Sequence, residues 1–203
     1  MKSKLHLLYK LLWMVCFSIK NTICTMLFKV LLFLNDVEYG CKLRTFGAIP
    51  QLRISRKKSI VKFGNNISFN NYNDVAWCLK CSIWVRDGAM LVIDDGTGMN
   101  GALVYAAKSV VIGKNVKIGG GTKIFDTDFH PLNYGTRRTS NEGTLCAPIV
   151  IEDDVFIGTS CFILKGVHIG ARSIVAAGSV VTKSIPADEI WGGNPAKFIR
   201  KIL

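Results

Sequence analysis

The sequence of 203 residues contains few histidines, and their scarcity excludes a class of site. The three histidines, His6, His130 and His168, lie far apart along the chain. A protein metal site needs several ligands close together, and in zinc sites these are mainly histidine, cysteine and carboxylate. The sequence therefore predicts no metal site and excludes a metal-dependent hydratase.

The chain also lacks a regular arrangement of cysteines. Its seven cysteines are odd in number and irregularly spaced, which favours a reducing compartment over a disulfide framework. Cys78 and Cys81 form a single Cys-x-x-Cys pair, with neither a second pair nor a nearby histidine. We therefore interpret them as two packed or exposed thiols rather than as a metal or redox site.

Residues 5–34 are apolar, but no uninterrupted apolar run in them has the length of a membrane span. The longest uncharged runs lie between Lys10 and Lys20 and between Lys20 and Lys29, well short of the ~20 residues that cross a bilayer. No small-residue cleavage site follows a compact apolar core, so a signal peptide is not predicted.

The spacing within this segment predicts an amphipathic helix. Apolar residues recur at steps of three and four and form one stripe: Leu5, Leu8, Leu12, Val15, Ile19, Ile23, Met26, Val30 and Phe33. Lys2, Lys10, Lys20 and Lys29 fall outside the stripe. Two interpretations stay open: a helix that lies on an anionic membrane surface, or one that docks on its own domain or on a neighbouring subunit.

Acidic residues are scarce in the first third of the chain. Residues 1–62 contain 12 Lys and Arg but only 2 acids, whereas residues 63–203 contain 14 and 12. The overall net charge of +12 would suggest nucleic acid. The densest basic patch consists of Arg53, Arg56, Lys57, Lys58 and Lys62. Because this patch matches no recognised nucleic-acid motif, we expect no nucleic-acid partner, and a basic scaffold without enzymatic activity is only an alternative.

From Leu91 onward, aliphatic residues recur at intervals of six, which fits neither an α-helix nor a two-sided sheet. The positions in register are Ile112, Ile118, Ile124, Ile151, Ile157, Ile163, Ile169, Val175 and Val181. A repeat of this kind is typical of a parallel β-helix, in which each aliphatic side chain points inward and stacks on its counterpart one coil away. The sequence predicts an all-β fold of this type.

The predicted organisation has three parts: an amphipathic, basic N-terminal segment over residues 1–54, a β-helix over 55–185, and a C-terminal tail over 186–203. Pro195 begins a segment that predicts a short C-terminal helix. The repeat breaks for 27 residues between Ile124 and Ile151. This predicts a protruding loop over 125–148, long enough to carry function rather than merely to connect.

Several motifs resemble those of the hexapeptide-repeat acetyltransferases, in particular the galactoside/maltose-type and polysaccharide O-acetyltransferase branch. The matching segments are Ile112-Gly113-Lys114-Asn115, Asp126-Thr127-Asp128-Phe129-His130-Pro131, Ala147-Pro148-Ile149-Val150-Ile151, Phe156-Ile157-Gly158-Thr159, Gly178-Ser179-Val180-Val181-Thr182-Lys183 and Gly193-Asn194-Pro195-Ala196-Lys197. The resemblance implies a left-handed parallel β-helix, a homotrimer with sites between subunits, and direct acyl transfer from acetyl-CoA to a hydroxyl without a covalent acyl-enzyme.

The resemblance implies that His130 is the general base, because imidazole titrates near neutral pH. Asp126 and Asp128 would orient or charge-stabilise His130 or shape the turn, and Asp126 is also a candidate for binding the acceptor. Asn100 lies near the acceptor-binding asparagine of relatives. His168 precedes an inward repeat position, so we expect it to point outward and to have no role in the site.

The remaining site residues would bind the cofactor. Phe156 takes the place of a tryptophan beside the pantetheine arm, and Thr159 and Ala177 would contact that arm. Thr182, Lys183, Lys197 and Arg200 would lie near the nucleotide, whose three phosphates require cations. A lysine binds phosphate as a point charge, without the two-pronged geometry of arginine.

The expected function is an acetyl-CoA-dependent O-acetyltransferase that acts on a sugar hydroxyl in capsule, exopolysaccharide or lipopolysaccharide biosynthesis. The alternative acceptor is a soluble small molecule, such as a free sugar, a serine-like hydroxyl or an antibiotic. We expect a cytoplasmic protein, peripheral on the inner face of the membrane if residues 1–34 contact lipid.

Overall fold

The computed structural model of the protein describes residues 2–55, 57–71 and 79–202. A long helix, α1 (Lys2–Leu34), precedes a stack of short strands, and a second helix, α2 (Tyr134–Thr139), interrupts that stack. The strands from the first to the tenth are β1 (Glu38–Tyr39), β2 (Arg44–Phe46), β3 (Gln51–Ile54), β4 (Ile60–Phe63), β5 (Ser68–Asn70), β6 (Ser82–Val85), β7 (Met90–Ile93), β8 (Gly98–Asn100), β9 (Leu103–Ala106) and β10 (Ser109–Ile112). The later strands are β11 (Lys117–Ile118), β12 (Lys123–Phe125), β13 (Ile149–Ile151), β14 (Phe156–Ile157), β15 (Phe162–Ile163), β16 (His168–Ile169), β17 (Ile174–Val175), β18 (Val180–Val181), β19 (Glu189–Gly192) and β20 (Lys197–Lys201).

These strands form three sheets, and every third strand along the chain joins the same sheet. Sheet A has the order β1-β4-β7-β10-β13-β16, sheet B begins β2-β5-β8-β11-β14-β17, and sheet C runs β3-β6-β9-β12-β15-β18. All these neighbours pair in parallel. Each successive triplet is one coil, and the protein has the predicted left-handed parallel β-helix.

The six-residue period sets the register between coils. In sheet B, Ile118 pairs with Ile157, and Ile157 pairs with Val175. Equivalent inward rows form in sheets A and C: Ile112, Ile151 and Ile169 in one, Ile124, Ile163 and Val181 in the other. All nine side chains are at most 2% exposed. The prediction of inward-stacked aliphatic residues is therefore confirmed.

The stack of strands begins earlier than the predicted boundary at residue 55. Strands β1, β2 and β3 form a complete first coil that pairs with β4, β5 and β6. Leu43 of this coil is 1% exposed and lies in the same core as the later repeats. The first coil lacks the regular six-residue spacing. For that reason the sequence-based prediction assigned it to the N-terminal segment.

The predicted short C-terminal helix is wrong. Lys197–Lys201 is strand β20, which pairs antiparallel with β19 at the end of sheet B. Trp191 and Phe198, paired across these strands, bring their rings to a centroid separation of 6.5 Å. An exposed sheet edge offers unpaired backbone N–H and C=O groups, and pairing with them outweighs the weak local preference for a helix.

Helix α1 covers the open end of the first coil. Phe28 and Leu32 have no exposed surface, and the Phe28 ring lies edge-on to Phe69 with centroids 5.3 Å apart. By length and composition, Leu5–Leu34 is also long and apolar enough to cross a membrane, with a mean hydropathy of 1.6. The lysines divide this helix into short uncharged runs, and for that reason the sequence predicted no membrane span.

Candidate active site

The loop that interrupts the repeat is anchored at its base by Asp126. The carboxylate of Asp126 has no exposed surface and accepts hydrogen bonds from the backbone N–H groups of Ala107, Lys108 and Ser109, at 2.6–2.7 Å. Both carboxylate oxygens are therefore occupied within the chain. The prediction of Asp126 as a substrate-binding or His130-orienting residue is corrected: it fixes the point where the loop leaves the β-helix.

Asp128 holds the next part of the loop. Its carboxylate forms an ion pair with the Nζ of Lys165 at 2.8 Å, and its backbone N–H donates to the carbonyl of Leu145. The loop thus folds back on itself as a short arm, with an antiparallel bridge between Thr127 and Cys146 at its root. The hydrogen bonds and ion pairs of Asp128 do not include His130, so the predicted direct role beside the base is replaced by one in anchoring the loop.

Phe129 fixes the backbone immediately before His130. Its φ of +64° is in the left-handed region, which phenylalanine adopts only where the surroundings impose it. Its ring packs against Tyr105 and Phe125, with centroid separations of 4.8 and 5.2 Å. These contacts hold the loop against the outer face of sheet C and thereby fix the backbone position of the next residue, His130.

His130 is exposed on this arm, and a residue that the sequence analysis missed holds its ring. The Nδ1 of His130 lies 3.0 Å from the Oδ1 of Asn141. An amide oxygen can only accept, so Nδ1 donates in this contact, and in the neutral form of the ring Nε2 then has the lone pair. Asn141 lies in the polar run after α2, where the sequence pattern contains no signal that distinguishes it from Ser140 or Glu142. Among the hydrogen bonds of the described residues, the Nε2 atom of His130 takes part in none.

The turn after His130 is braced by α2. Asn133 caps this helix by accepting from the backbone N–H of Thr136, and the guanidinium of Arg137 donates to the carbonyl of Pro131 at 3.4 Å. Helix α2 contains no buried residue. Polar contacts within the loop, rather than apolar packing, therefore hold this turn.

Two of the predicted cofactor residues lie beside each other at the corner between sheets B and C. The carbonyl of Thr159 accepts from the N–H of Gly178, directly after Ala177 on the next coil. A Cβ atom at Gly158 would lie 2.6 Å from the backbone nitrogen of Ala177. Glycine is required there because the coils approach too closely for a side chain, and the corner is left as a shallow surface of small residues.

Asn100 reaches the same corner. It follows Met99, which pairs with Ile118 just as Ile118 pairs with Ile157. Asn100 therefore occupies the position equivalent to Gly158, two coils earlier, or about 10 Å along the stack. It is exposed, and Asn100, Thr159 and Ala177 therefore lie on one edge of the β-helix.

The outward row of sheet B brings together two more predicted cofactor residues. Phe156 pairs with Ile174, Ile174 with Ile190, and Ile190 with Arg200. Phe156 is 49% exposed, and Arg200 is exposed about 14 Å away, three strand spacings along the row. An aromatic ring and a cation at this separation offer an apolar contact at one end and a phosphate contact at the other.

Thr182, Lys183 and Lys197 are exposed near the same end of the stack. Thr182 and Lys183 follow β18 of sheet C, while Lys197 begins β20 opposite Gly192. Among the ion pairs of the described residues, none involves Lys183, Lys197 or Arg200. These cations are therefore available to an anionic ligand.

Within one chain, the arm that carries His130 and the pair Thr159 and Ala177 lie at different corners of the β-helix, whereas Thr182 and Lys183 follow sheet C at the same corner as the arm. The arm with His130 departs after β12, at the far end of sheet C, whereas Thr159 and Ala177 precede that sheet. The length of the three-residue strand β12, about 10 Å, separates the two corners on that coil.

The remaining candidates lie outside this site. His168 points outward as predicted, with its Nε2 2.7 Å from Glu152. Hydrogen bonds from Ala171 and His168 lower the pKa of the Glu152 carboxyl. Cys81 is buried, whereas Cys78 lies outside the described residues. Within the described residues, no group of three potential metal ligands comes together.

Comparisons with known proteins cover the repeat region. The family model described as the hexapeptide repeat of succinyl-transferase matches residues 148–183. The 2,3,4,5-tetrahydropyridine-2,6-dicarboxylate N-acetyltransferase of Staphylococcus aureus is 38% identical over 44% of this chain and 32% of its own length. Gamma carbonic anhydrase 1 of Arabidopsis thaliana is 34% identical over 60% of this chain and 42% of its own length. The chain spans less than half the length of these two relatives.

Solved structures of similar proteins have the same fold. The hexapeptide-repeat-containing acetyltransferase VCA0836 of Vibrio cholerae matches with 42% identity and a TM-score of 0.51, over 55% of this chain and 62% of that one. AntD, an N-acyltransferase of Bacillus cereus, has a TM-score of 0.60 at 17% identity, over 81% and 83% of the two chains. The chain thus has a six-residue repeat and stacked parallel strands, and these matches show that it is similar to hexapeptide-repeat acetyltransferases.

Proposed function

We propose that the protein is an acetyl-CoA-dependent acyltransferase and that its acceptor is a sugar hydroxyl. The observation that carries this proposal is the exposed His130 ring, with Nδ1 bound to Asn141 and Nε2 free. Relatives and similar structures named as acetyltransferases and acyltransferases support the reaction class. A role in capsule, exopolysaccharide or lipopolysaccharide biosynthesis is part of the same proposal.

The chemistry follows from the free nitrogen of the imidazole. Nε2 of His130 takes the proton of the acceptor hydroxyl as the oxygen attacks the thioester carbonyl, and a tetrahedral oxyanion forms. A backbone N–H stabilises this oxyanion. When the intermediate collapses, the C–S bond breaks and the CoA sulfur leaves with the proton held by His130. Asn141 is a positioning residue, since it keeps the imidazole in the tautomer that can accept the proton.

Acetyl-CoA would lie along the edge formed by sheet B and its corner. Phe156 would contact the apolar part of the pantetheine arm, and Thr159 and Ala177 would offer it a narrow surface. Arg200, Lys183 and Lys197 supply the charges that the phosphates require. Asn100, on the same corner, is available to the acceptor.

The site would be completed between subunits of a homotrimer. Within one chain the arm that carries His130 leaves the β-helix after sheet C, whereas Thr159 and Ala177 lie before it, so the arm of one subunit would meet the cofactor edge of its neighbour. This arrangement supports the trimer as part of the proposal.

A metal-dependent hydratase is the competing activity, because gamma carbonic anhydrases share sequence with this chain. Such an enzyme needs several histidines around one ion. In the described part of the chain His130 and His168 instead contact Asn141 and Glu152, respectively. These contacts favour acyl transfer.

The test measures CoA release from acetyl-CoA with free sugars, nucleotide sugars, lipid-linked glycans, serine-like hydroxyls and amines as acceptors. We expect His130→Ala to lower the rate about 10²–10⁴-fold. His168→Ala is the matched control, because that exposed imidazole is outside the site, and its rate should be unchanged. Full activity of His130→Ala would overturn the assignment.

The same assay tests Asn141. Asn141→Ala should lower kcat up to about a hundredfold, since a misplaced base reacts poorly, and should shift the pH profile. Asn141→Asp keeps an acceptor oxygen and should restore most of the rate. Equal losses in both variants would contradict the positioning role.

A further inference from the structure

Helix α1 docks on the β-helix through one narrow face. The hydroxyl of Thr25 donates to the carbonyl of Thr45 and accepts from its N–H, at 3.1 and 3.0 Å, and the Oδ1 of Asn21 accepts from the N–H of Gly47 at 2.9 Å. Phe28 is fully buried at the same contact. At 100° per residue, these docking residues fall within an arc of roughly 60°.

The apolar stripe lies on the other side of α1. Its nine residues, from Leu5 to Phe33, fall within roughly 80° of arc that is centred about 150° from the docking face. Each of them is between 51% and 74% exposed. Docking on its own β-helix, one of the two interpretations from the sequence, therefore does not use the stripe, and an apolar face about 42 Å long stays uncovered.

The charges beside the stripe indicate what covers it. Lys20 and Lys29 lie roughly 80–100° to either side of its centre, and the first acidic residue of the chain is Asp36. Parallel helices from further copies would bring lysines together without acidic partners, whereas an anionic lipid surface supplies the opposite charge along both sides.

Lys10 and the docking contacts also distinguish a helix that crosses a membrane from one that lies in the plane of its surface. Residues from Asn21 onward are held on the first coil, so only residues 2–20 project freely. These 19 residues would measure about 28 Å, and Lys10 is at their middle, where a crossing helix would bury a charge. A helix in the plane of the surface instead leaves Lys10 on the aqueous side.

We propose that α1 binds in the plane of an anionic lipid surface through the stripe from Leu5 to Phe33, with Lys20 and Lys29 at the headgroups and the β-helix on the aqueous side. This surface is independent of the active site and goes beyond the proposed function. It would bring the enzyme to acceptors that are built at a membrane.

The experiment is flotation of the full-length protein with vesicles of phosphatidylcholine alone or mixed with phosphatidylglycerol. We expect binding to the mixed vesicles, reduced by salt and by Lys20→Gln with Lys29→Gln. Leu12 and Met14, 57% and 59% exposed, provide a matched pair on opposite sides of the helix. Leu12→Gln should lower the partition coefficient about tenfold or more, whereas Met14→Gln should change it less than about twofold.

Three results would overturn the proposal. Equal losses in both variants would indicate a helix immersed on all sides, as in a membrane span. Salt-independent binding without preference for phosphatidylglycerol would remove the role of the lysines. Absence of flotation, together with a smaller assembly for Leu12→Gln by sedimentation, would assign the stripe to further copies of the chain. Unfolding midpoints by circular dichroism control for folding, and none of these readouts depends on catalysis.

Discussion

The β-helix and helix α1 both have periodic apolar residues, yet they use them in opposite ways. The six-residue rows of the β-helix point inward, and Ile157 and Ile163 have no exposed surface. The stripe of α1 points outward, and Ile19 is 54% exposed. Periodicity thus defines which residues share a face, but the face is buried only where another part of the molecule covers it. In a β-helix the coil covers itself, whereas a lone helix depends on a partner.

The largest expected effect contrasts one isoleucine from each region. Ile157→Ala should lower the free energy of unfolding by about 2–5 kcal/mol, because it leaves a cavity between stacked coils. Ile19→Ala should change it by less than about 0.5 kcal/mol, because that side chain is exposed. Urea denaturation followed by circular dichroism measures both. Comparable losses would mean that the stripe is buried within the molecule or its assembly.

A smaller effect tests which face of α1 docks. Thr25→Val removes a hydroxyl with two backbone partners and should cost about 1–2 kcal/mol, with faster hydrogen exchange in residues 17–34. Thr22→Val is the matched control, since the Thr22 hydroxyl bonds only to Ser18 of its own helix, and it should be close to neutral. If hydrogen exchange in residues 17–34 were equally fast in both variants, the contact between Thr25 and Thr45 would not hold the helix on the first coil.

The smallest expected effect is on reactivity rather than stability. Burial raises the pKa of the Cys81 thiol to about 11, so only about a thousandth of it is thiolate at pH 8. Cys16 on α1 is exposed. Alkylation of the folded protein at pH 8, mapped by mass spectrometry, should modify Cys16 readily and Cys81 only after denaturation. Early modification of Cys81 would show that the coil opens near it.

The loop between β12 and β13 was predicted less completely than the coils. The break between Ile124 and Ile151 located it, and His130 was identified from its motif and its position in the break. The partners of His130 were not predictable, because Asp126 and Asp128 precede it in sequence but bond to Ser109 and Lys165. Asn141 is eleven residues away, and only the folded arm brings it to the ring.

The sequence by itself determined the coil, because each six-residue step repeats the same local geometry and needs only its neighbours one coil away. It did not determine the ends of the stack. The C-terminal segment became β20 because β19 offered an open edge. The first coil formed without a regular repeat because its strands pair with β4, β5 and β6. The direction of the α1 stripe was likewise decided by tertiary contacts: Asn21, Thr25 and Phe28 fit the first coil, and the stripe was left facing outward.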